Sequence, residues 1–330
     1  MTRDSKAKRA LMLLNNKSQK AQVVFRQMAH ENNIGIENID KALERYLSRW
    51  NDTTRPGLLA IAHEAVGGRL EDIVPLQVAL SFIDVTMDIH DDIIDESATK
   101  KNVKTIYGAL GRETALLIGD EYMTKSFYYL HQSIAFLPKD RQILIMNITN
   151  SFLAEVVRAH ISEVQLKKIK WRVKPETYLQ VLIKKAADIE GRMKIGSIYG
   201  GGSEEEIDAL SIYGRNLGVL LAVRAEFGDL FEPDELSCRI RDGCLPIQVL
   251  YALQKRKYSE KIHSLLSKGE IDASDSRKLL LIIQETKTLP LLRERLEHLK
   301  NEAIQALTKL QSKREKDSLE LVVTSMLEDL

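Results

Sequence analysis

The stretch ALSFIDVTMDIHDDIIDES, residues 79–97, decides how this chain is read. Phe82, Ile83, Val85, Ile89, Ile93 and Ile94 are interleaved there with Asp84, Asp88, Asp91, Asp92 and Asp95. On a helix, the offsets of four, three and four residues bring Asp84, Asp88, Asp91 and Asp95 onto one stripe, with Asp92 beside it. At an effective dielectric near 20, two carboxylates about 5 Å apart repel by roughly 3 kcal/mol, so such a row calls for a polyvalent cation or several opposing bases. Mg2+ suits the donors, because it takes oxygen ligands and is commonly shared between one or two carboxylates and a substrate phosphate. A solvated face is the ordinary explanation of a charge run. The apolar residues at the other positions argue against it here: they predict a largely buried helix whose acids face a cavity.

Helical periodicity continues on both sides, in DKALERYLSRW, EEEIDALSIYGRNLGVLLAV and the long C-terminal run from LRERLEHLK to LVVTSML. Strand-like alternation is almost absent. Most of the seven prolines fall where one helical pattern stops and the next begins, or in the first turn of the next. The segment SIYGGGSEEE reads as a helix end, then Ser203 as N-cap with Glu204 to Glu206 in a favourable first turn. Acids directly after the glycines argue against a phosphate cradle. With no linker, low-complexity tract or repeat, the expectation is an all-α chain forming one domain over residues 1–330, a bundle of about a dozen helices.

Composition narrows the function classes. With 44% hydrophobic and 29% charged residues over 330 positions, the chain can bury a large core. A net charge of +1 gives no basis for nucleic-acid binding. The two cysteines, Cys238 and Cys244, suggest no disulfide framework and fit a reducing compartment, hence the cytoplasm. The apolar run Ala10 to Leu14 is short for a secretory signal, and the longest uncharged apolar stretch, Ile73 to Ile83, falls below the ~18 residues of a membrane span, so no integral membrane protein is expected.

A second acidic pair, Glu226 and Asp229 in VRAEFGDLFEPDE, shares a helix face within an apolar segment. Arg55, Lys100, Lys101, Lys104, Lys184 and Lys185 are candidate bases for a phosphate, each individually more at home on a surface. A helical di-iron carboxylate protein also buries carboxylates, but it needs two Glu-x-x-His pairs. Only Glu260 to His263 has that spacing, in a polar segment. His90 falls roughly opposite the acid stripe and is a poor ligand candidate. A plain helical scaffold would carry the acids with no metal or diphosphate response.

Taken together, these segments resemble the trans-type isoprenyl diphosphate synthases, the polyprenyl synthetase family. DDIID, Asp91 to Asp95, looks like that family's first aspartate-rich motif, DDxxD. GRETALLIGDEYM resembles the segment ending in its Gly-Asp pair, here Gly119 and Asp120, and YLQVLIKKAADI the helix whose lysine, here Lys185, contacts diphosphate. MKIGSIYGGGSEEEIDALSIYGRNLG is similar to the segment leading into the second aspartate-rich motif, and the likeness runs from RPGLLAIAHEAVGG through the last helices. The resemblance implies a helical domain of isoprenoid-synthase type around a central cavity. It implies Mg2+ held by Asp91, Asp92, Asp95, Glu226 and Asp229, gripping the diphosphate of an allylic prenyl substrate. Ionisation would leave an allylic cation for isopentenyl diphosphate to attack, with Asp91, Asp92, Asp95 and Lys185 as the catalytic set. Thr86 and Met87, five and four positions before the motif, would floor the tunnel, and their size predicts a product of about C20 or longer, each helical turn adding ~5 Å of depth. A homodimer, or a heteromer with a paralogous synthase, is also implied.

The chain departs from the family pattern in the second motif, in the isopentenyl diphosphate pocket, where Asp84 also stands at the family's histidine, and at Asp88, where the family usually has an apolar residue. Where the second motif has DDxxD, Ala225 replaces the first carboxylate and Glu226 the second, leaving Asp229 intact. In the isopentenyl diphosphate pocket, Asp52 and Thr53 stand at the Lys and Arg positions of GKRxRP, leaving Arg55, and the Arg-Arg pair has become Lys100 and Lys101. Ammonium groups keep the charge but lose the planar bidentate fork, and a carboxylate at position 52 would repel a diphosphate. Three readings follow: a prenyltransferase, active alone or within a hetero-oligomer; a non-catalytic subunit of a heteromeric synthase; or an enzyme that ionises an allylic diphosphate and cyclises or hydrolyses it.

Overall fold

A computed structural model describes residues 5–31, 33–100 and 103–328. Among these the chain is all-α: sixteen α-helices and two short 3-10 turns, with a single two-stranded hairpin pairing Thr99–Lys100 and Val103–Lys104. The chain resolves into two compact units, discontinuous in sequence. One comprises Leu11–Ile145 with Ile195–Ser203; the other comprises Met1–Ala10, Met146–Lys194 and Glu204–Leu330.

The first unit is organised on the helix Leu70–Ile94, packed by Thr54–Ala65 and by Arg112–Ile134. Every residue from Leu76 to Thr86 is buried, which is why apolar residues appear on all sides of this helix rather than along one stripe. By length and hydropathy it is the one helix, among the described residues, that could cross a membrane, yet most of its apolar window is buried inside the fold. Phe82 anchors an aromatic cluster, edge-on to Phe25 at 4.9 Å and tilted against Tyr122 at 5.4 Å. Pro75 departs from the expected placement of prolines: it sits inside the helix, on an exposed face.

The second unit is organised on Glu204–Asp229, packed by Thr288–Ala306 and Pro175–Lys185. Gly218 permits one close approach, since a Cβ there would lie 2.9 Å from the Cα of Ala186. The three acids Glu204 to Glu206 occupy the first turn of this helix, where the positive end of the helix dipole favours them. The glycine segment before it ends the helix Ala187–Gly200, with Gly201 at φ +90°.

Candidate functional site

Within the first unit the acids gather toward the C-terminal end of Leu70–Ile94, where outward-facing carbonyls already make the potential negative. Asp95 lies just beyond the last helical residue and caps it, its N–H donating to the Asp91 carbonyl at 2.9 Å. Each acid further up the helix has found a different partner. Asp84, buried, has its Oδ1 3.6 Å from Arg55 Nε, and Arg55 Nη1 donates to Asp52 Oδ2 at 2.8 Å. Asp88 accepts from Trp50 Nε1 at 2.8 Å.

Asp52 has a structural use of its own. Its Oδ1 accepts from the backbone N–H of Thr54 and Arg55, at 2.8 and 3.2 Å, and so caps the helix Thr54–Ala65. A basic residue at that position could not accept these bonds. Arg55 thereby sits between two carboxylates, its charge already matched.

Asp92 is only 1% exposed, and Lys100 on the hairpin brings its ammonium to 2.6 Å. Burial pushes the Asp92 carboxyl up to about 6; Lys100 works against that shift, while Asp88 and Asp91 add to it. Burial works to lower the Lys100 ammonium, and Asp92, with Asp91 and Asp88, more than reverses it, so the lysine stays charged. Asp91 and Asp95 are half-buried beside it. Lys101 lies outside the described residues, Lys104 on the hairpin is exposed and so is Lys184.

Thr86 and Met87 differ in environment. Thr86 is fully buried, its hydroxyl 2.9 Å from the Phe82 carbonyl and 3.1 Å from the Gly119 carbonyl of the neighbouring helix, whereas Met87 is half-buried. His90 faces that same helix, with Nε2 3.5 Å from Asp120.

Within the second unit, Glu226 and Asp229 occupy the last turn of Glu204–Asp229, again a negative helix end. Arg239 bridges them, with Nε 2.7 Å from Asp229 Oδ2 and Nη1 3.4 Å from Glu226 Oε1. Tyr178 donates its hydroxyl to Glu226 Oε1, and the Ile247 N–H donates to Oε2 at 2.9 Å. Glu226 is 3% exposed, and burial raises its carboxyl, with Arg239 partly offsetting the shift. Lys185 meets Glu163 at 2.5 Å; burial pushes Glu163 up, but Lys185, with His160 and Arg239, outweighs it and holds the carboxyl below its ordinary range. Cys244 lies 3.5 Å from Glu163 and 3.6 Å from the Tyr178 hydroxyl, its thiol pushed up to about 12 by burial and then by Glu163. Ala225, at the place of the missing carboxylate, is exposed.

Glu163, Tyr178 and Arg239 were not singled out by sequence. Arg239 is placed by its own short helix, Pro233–Asp242, which starts on a proline, buries Leu236 and Ile240, and ends at Gly243 in the left-handed region with φ 75°. That helix signature was legible; its docking beside the end of Glu204–Asp229 was not.

The two acidic groups differ as hosts for a divalent ion. Asp91, Asp92 and Asp95 are hard oxygen donors at a negative helix end, and Asp92 is difficult to ionise even beside a lysine, so added positive charge fits there. Glu226 has both oxygens engaged by protein donors, and Asp229 is held by the same guanidinium. Among the described residues, no group of three His, Cys, Asp or Glu side chains is assembled as a metal cage.

Comparison with known proteins puts this arrangement in context. Residues 36–283 match the family model for polyprenyl synthetase. The chain belongs to the polyprenyl synthetase family. This polyprenyl synthetase chain is 26% identical over 259 residues to a geranylgeranyl diphosphate synthase of Methanosarcina mazei, covering 77% of the chain and 78% of that protein. It is also 26% identical over 243 residues to a short chain isoprenyl diphosphate synthase of Methanothermobacter thermautotrophicus, covering 71% and 73%. In fold it is similar to the crystal structure of geranylgeranyl pyrophosphate synthetase from Pyrococcus horikoshii, with a TM-score of 0.85, 22% identity, and coverage of 99% and 100%.

Proposed function

We propose that this chain binds an allylic prenyl diphosphate through Mg2+ and elongates it with isopentenyl diphosphate. The observation that carries the reading is the carboxylate set Asp91, Asp92 and Asp95 at the end of a buried helix in a polyprenyl synthetase family member. The family's relatives named above are diphosphate synthases, which supports the same reaction class.

In this reading Asp91, Asp92 and Asp95 hold the metal. When bound, Mg2+ supplies positive charge to the diphosphate as the carbon–oxygen bond breaks. Lys100 is parked on Asp92 until a phosphate oxygen competes for its ammonium, and Lys185 is parked in the same way on Glu163. Arg55, Lys100 and Lys101 are the bases toward isopentenyl diphosphate in this reading. Thr86 and Met87 limit chain length, and the fully buried Thr86 does so by setting how closely the neighbouring helix can approach.

A second reading, a subunit that serves a catalytic partner, is favoured by one specific feature. Arg55 and Arg239 are already matched by carboxylates, so two of the chain's cations are committed internally. Either way we infer an oligomer, a homodimer or a heteromer with a paralogous synthase. Leu116, Leu117, Phe127 and Tyr128 are exposed on Arg112–Ile134 and recur after three turns, so they share a face. A cytoplasmic location belongs to this reading, supported by two free cysteines.

The test is incubation of the purified chain with Mg2+, labelled isopentenyl diphosphate and geranyl or farnesyl diphosphate, with and without a co-expressed paralogue. Longer prenyl products from the chain alone support elongation. Products that need the paralogue support the subunit reading. Diphosphate release without elongation overturns both in favour of a cyclase or hydrolase.

A further inference from the structure

We propose that Arg239 is a built-in counter-cation that closes the second acidic site, so that divalent metal binds this chain through the first acidic site alone. The inference rests on the metal-diphosphate reading of Asp91, Asp92 and Asp95, and departs from the expectation that Glu226 and Asp229 are metal ligands.

The geometry shows a negative helix end that has been satisfied from within. Glu226 and Asp229 lie in the last turn of their helix, where carbonyl dipoles and two carboxylates together require a cation. Arg239 meets that requirement with one bond to each acid, at 2.7 and 3.4 Å. The remaining acceptor capacity of Glu226 is directed at protein donors, the Tyr178 hydroxyl and the Ile247 N–H. For Glu226 to ligate a metal, it would have to do so beside donors that already take three of its roughly four acceptor sites. Arg239 would have to leave, since a guanidinium and a divalent ion cannot share one pair of acids without strong repulsion.

The surroundings keep Arg239 in place. Its helix is fixed at one end by Pro233 and at the other by Gly243, where a Cβ would come within 2.8 Å of the Lys167 carbonyl. Ser237, two residues before Arg239, accepts from the Ile271 N–H at 2.9 Å and pins the helix to the segment beyond it. Ala225 removes the carboxylate that would have given a metal a third donor on this helix end. The first site contrasts with this: Lys100 reaches Asp92 from a two-residue strand and is half exposed. A flexible ammonium on a short hairpin yields to a metal more readily than a guanidinium bridging two acids.

The test counts bound Mn2+ by electron paramagnetic resonance, with Mn2+ alone and with a thio analogue of farnesyl diphosphate that does not ionise. Glu226→Gln and Asp229→Asn should leave Mn2+ affinity within about two-fold of the parent chain, because neither residue is then a ligand. Arg239→Gln should gain one further Mn2+ at least about ten-fold tighter than background, and adding Asp229→Asn should remove it again. Arg239→Lys, which keeps the charge, should gain none.

A loss of about ten-fold or more in affinity in Glu226→Gln or Asp229→Asn, in the otherwise unaltered chain, overturns the proposal. So does a folded Arg239→Gln with no added ion. The two single carboxylate variants decide the matter even where Arg239→Gln does not fold. Failure of the parent reading looks different: Asp91→Asn and Asp92→Asn would then leave Mn2+ binding untouched, while the Arg239→Gln result would still report on the second site.

Discussion

Truncating Glu226 to alanine should be among the most damaging single changes in the second unit. The side chain is 3% exposed and accepts from three donors: the Tyr178 hydroxyl, Arg239 Nη1 and the Ile247 N–H. Removing it leaves the Ile247 N–H without its acceptor in the core, costing about 1–3 kcal/mol, while the Tyr178 hydroxyl keeps Glu163 Oε1 at 3.3 Å. Breaking a buried ion pair outright costs about 3–5 kcal/mol, but Arg239 retains its shorter bond to Asp229, so only part of that applies. The sum is a loss of about 2–5 kcal/mol. Glu226→Gln, which keeps the volume and one acceptor oxygen, should lose about 1–2 kcal/mol. The double variant Glu226→Gln with Arg239→Met should lose less than the two singles added together, by about 1–2 kcal/mol, because the two side chains interact directly. Of the two tryptophans, Trp50 lies in the first unit and Trp171 in the second, so urea unfolding followed by Trp171 fluorescence in a Trp50→Phe background reports on this unit. A shift in Glu226→Ala equivalent to less than about 1 kcal/mol, or strictly additive losses in the double variant, would refute the argument.

Three further outcomes follow from the packing. His63 is 3% exposed and lies tilted against Tyr199, with ring centroids 5.5 Å apart, and burial holds its pKa below the ordinary 6.5. The unfolded chain therefore takes up the proton first, so stability present above about pH 6.5 is lost as pH falls below it, by at most about 1.4 kcal/mol per pH unit. Chemical denaturation across that range should show a flatter profile in His63→Gln, and parallel profiles would count against the assignment. Gly218→Ala gains about 1 kcal/mol of helix propensity but drives a methyl to 2.9 Å from the Cα of Ala186, so a net loss of about 1–2 kcal/mol is expected in urea midpoint, and a gain would show that the two helices can separate freely. Thr86→Phe should both shorten the prenyl product and lower stability by about 1–3 kcal/mol, since Thr86 is fully buried against the Gly119 carbonyl. Unchanged product length, read by chromatography of the dephosphorylated alcohols, removes Thr86 from the tunnel.

The chain's order of residues by itself determined that the protein is helical and where its acids would concentrate. The apolar spacing around Asp84 to Asp95, the proline starts at Pro175 and Pro233, and the glycine end before Glu204 are local signals, because a helix relates residues only three or four apart. The resemblance to polyprenyl synthetases was likewise legible, being carried by motifs in order. What only the tertiary structure decided is which cation meets which acid. Lys100 reaches Asp92, Lys185 reaches Glu163, and Arg239 reaches both Glu226 and Asp229. Those partners are eight or more residues apart along the chain and mostly on different elements, so no periodicity relates them. Asp52 looked like a residue that would repel phosphate and proved to be a helix cap, because a carboxylate two residues ahead of a helix start finds unpaired N–H groups before it finds any ligand. Charge at a position is written in the sequence; whether that charge is available to a substrate depends on the long-range packing that brings a counter-charge within about 4 Å.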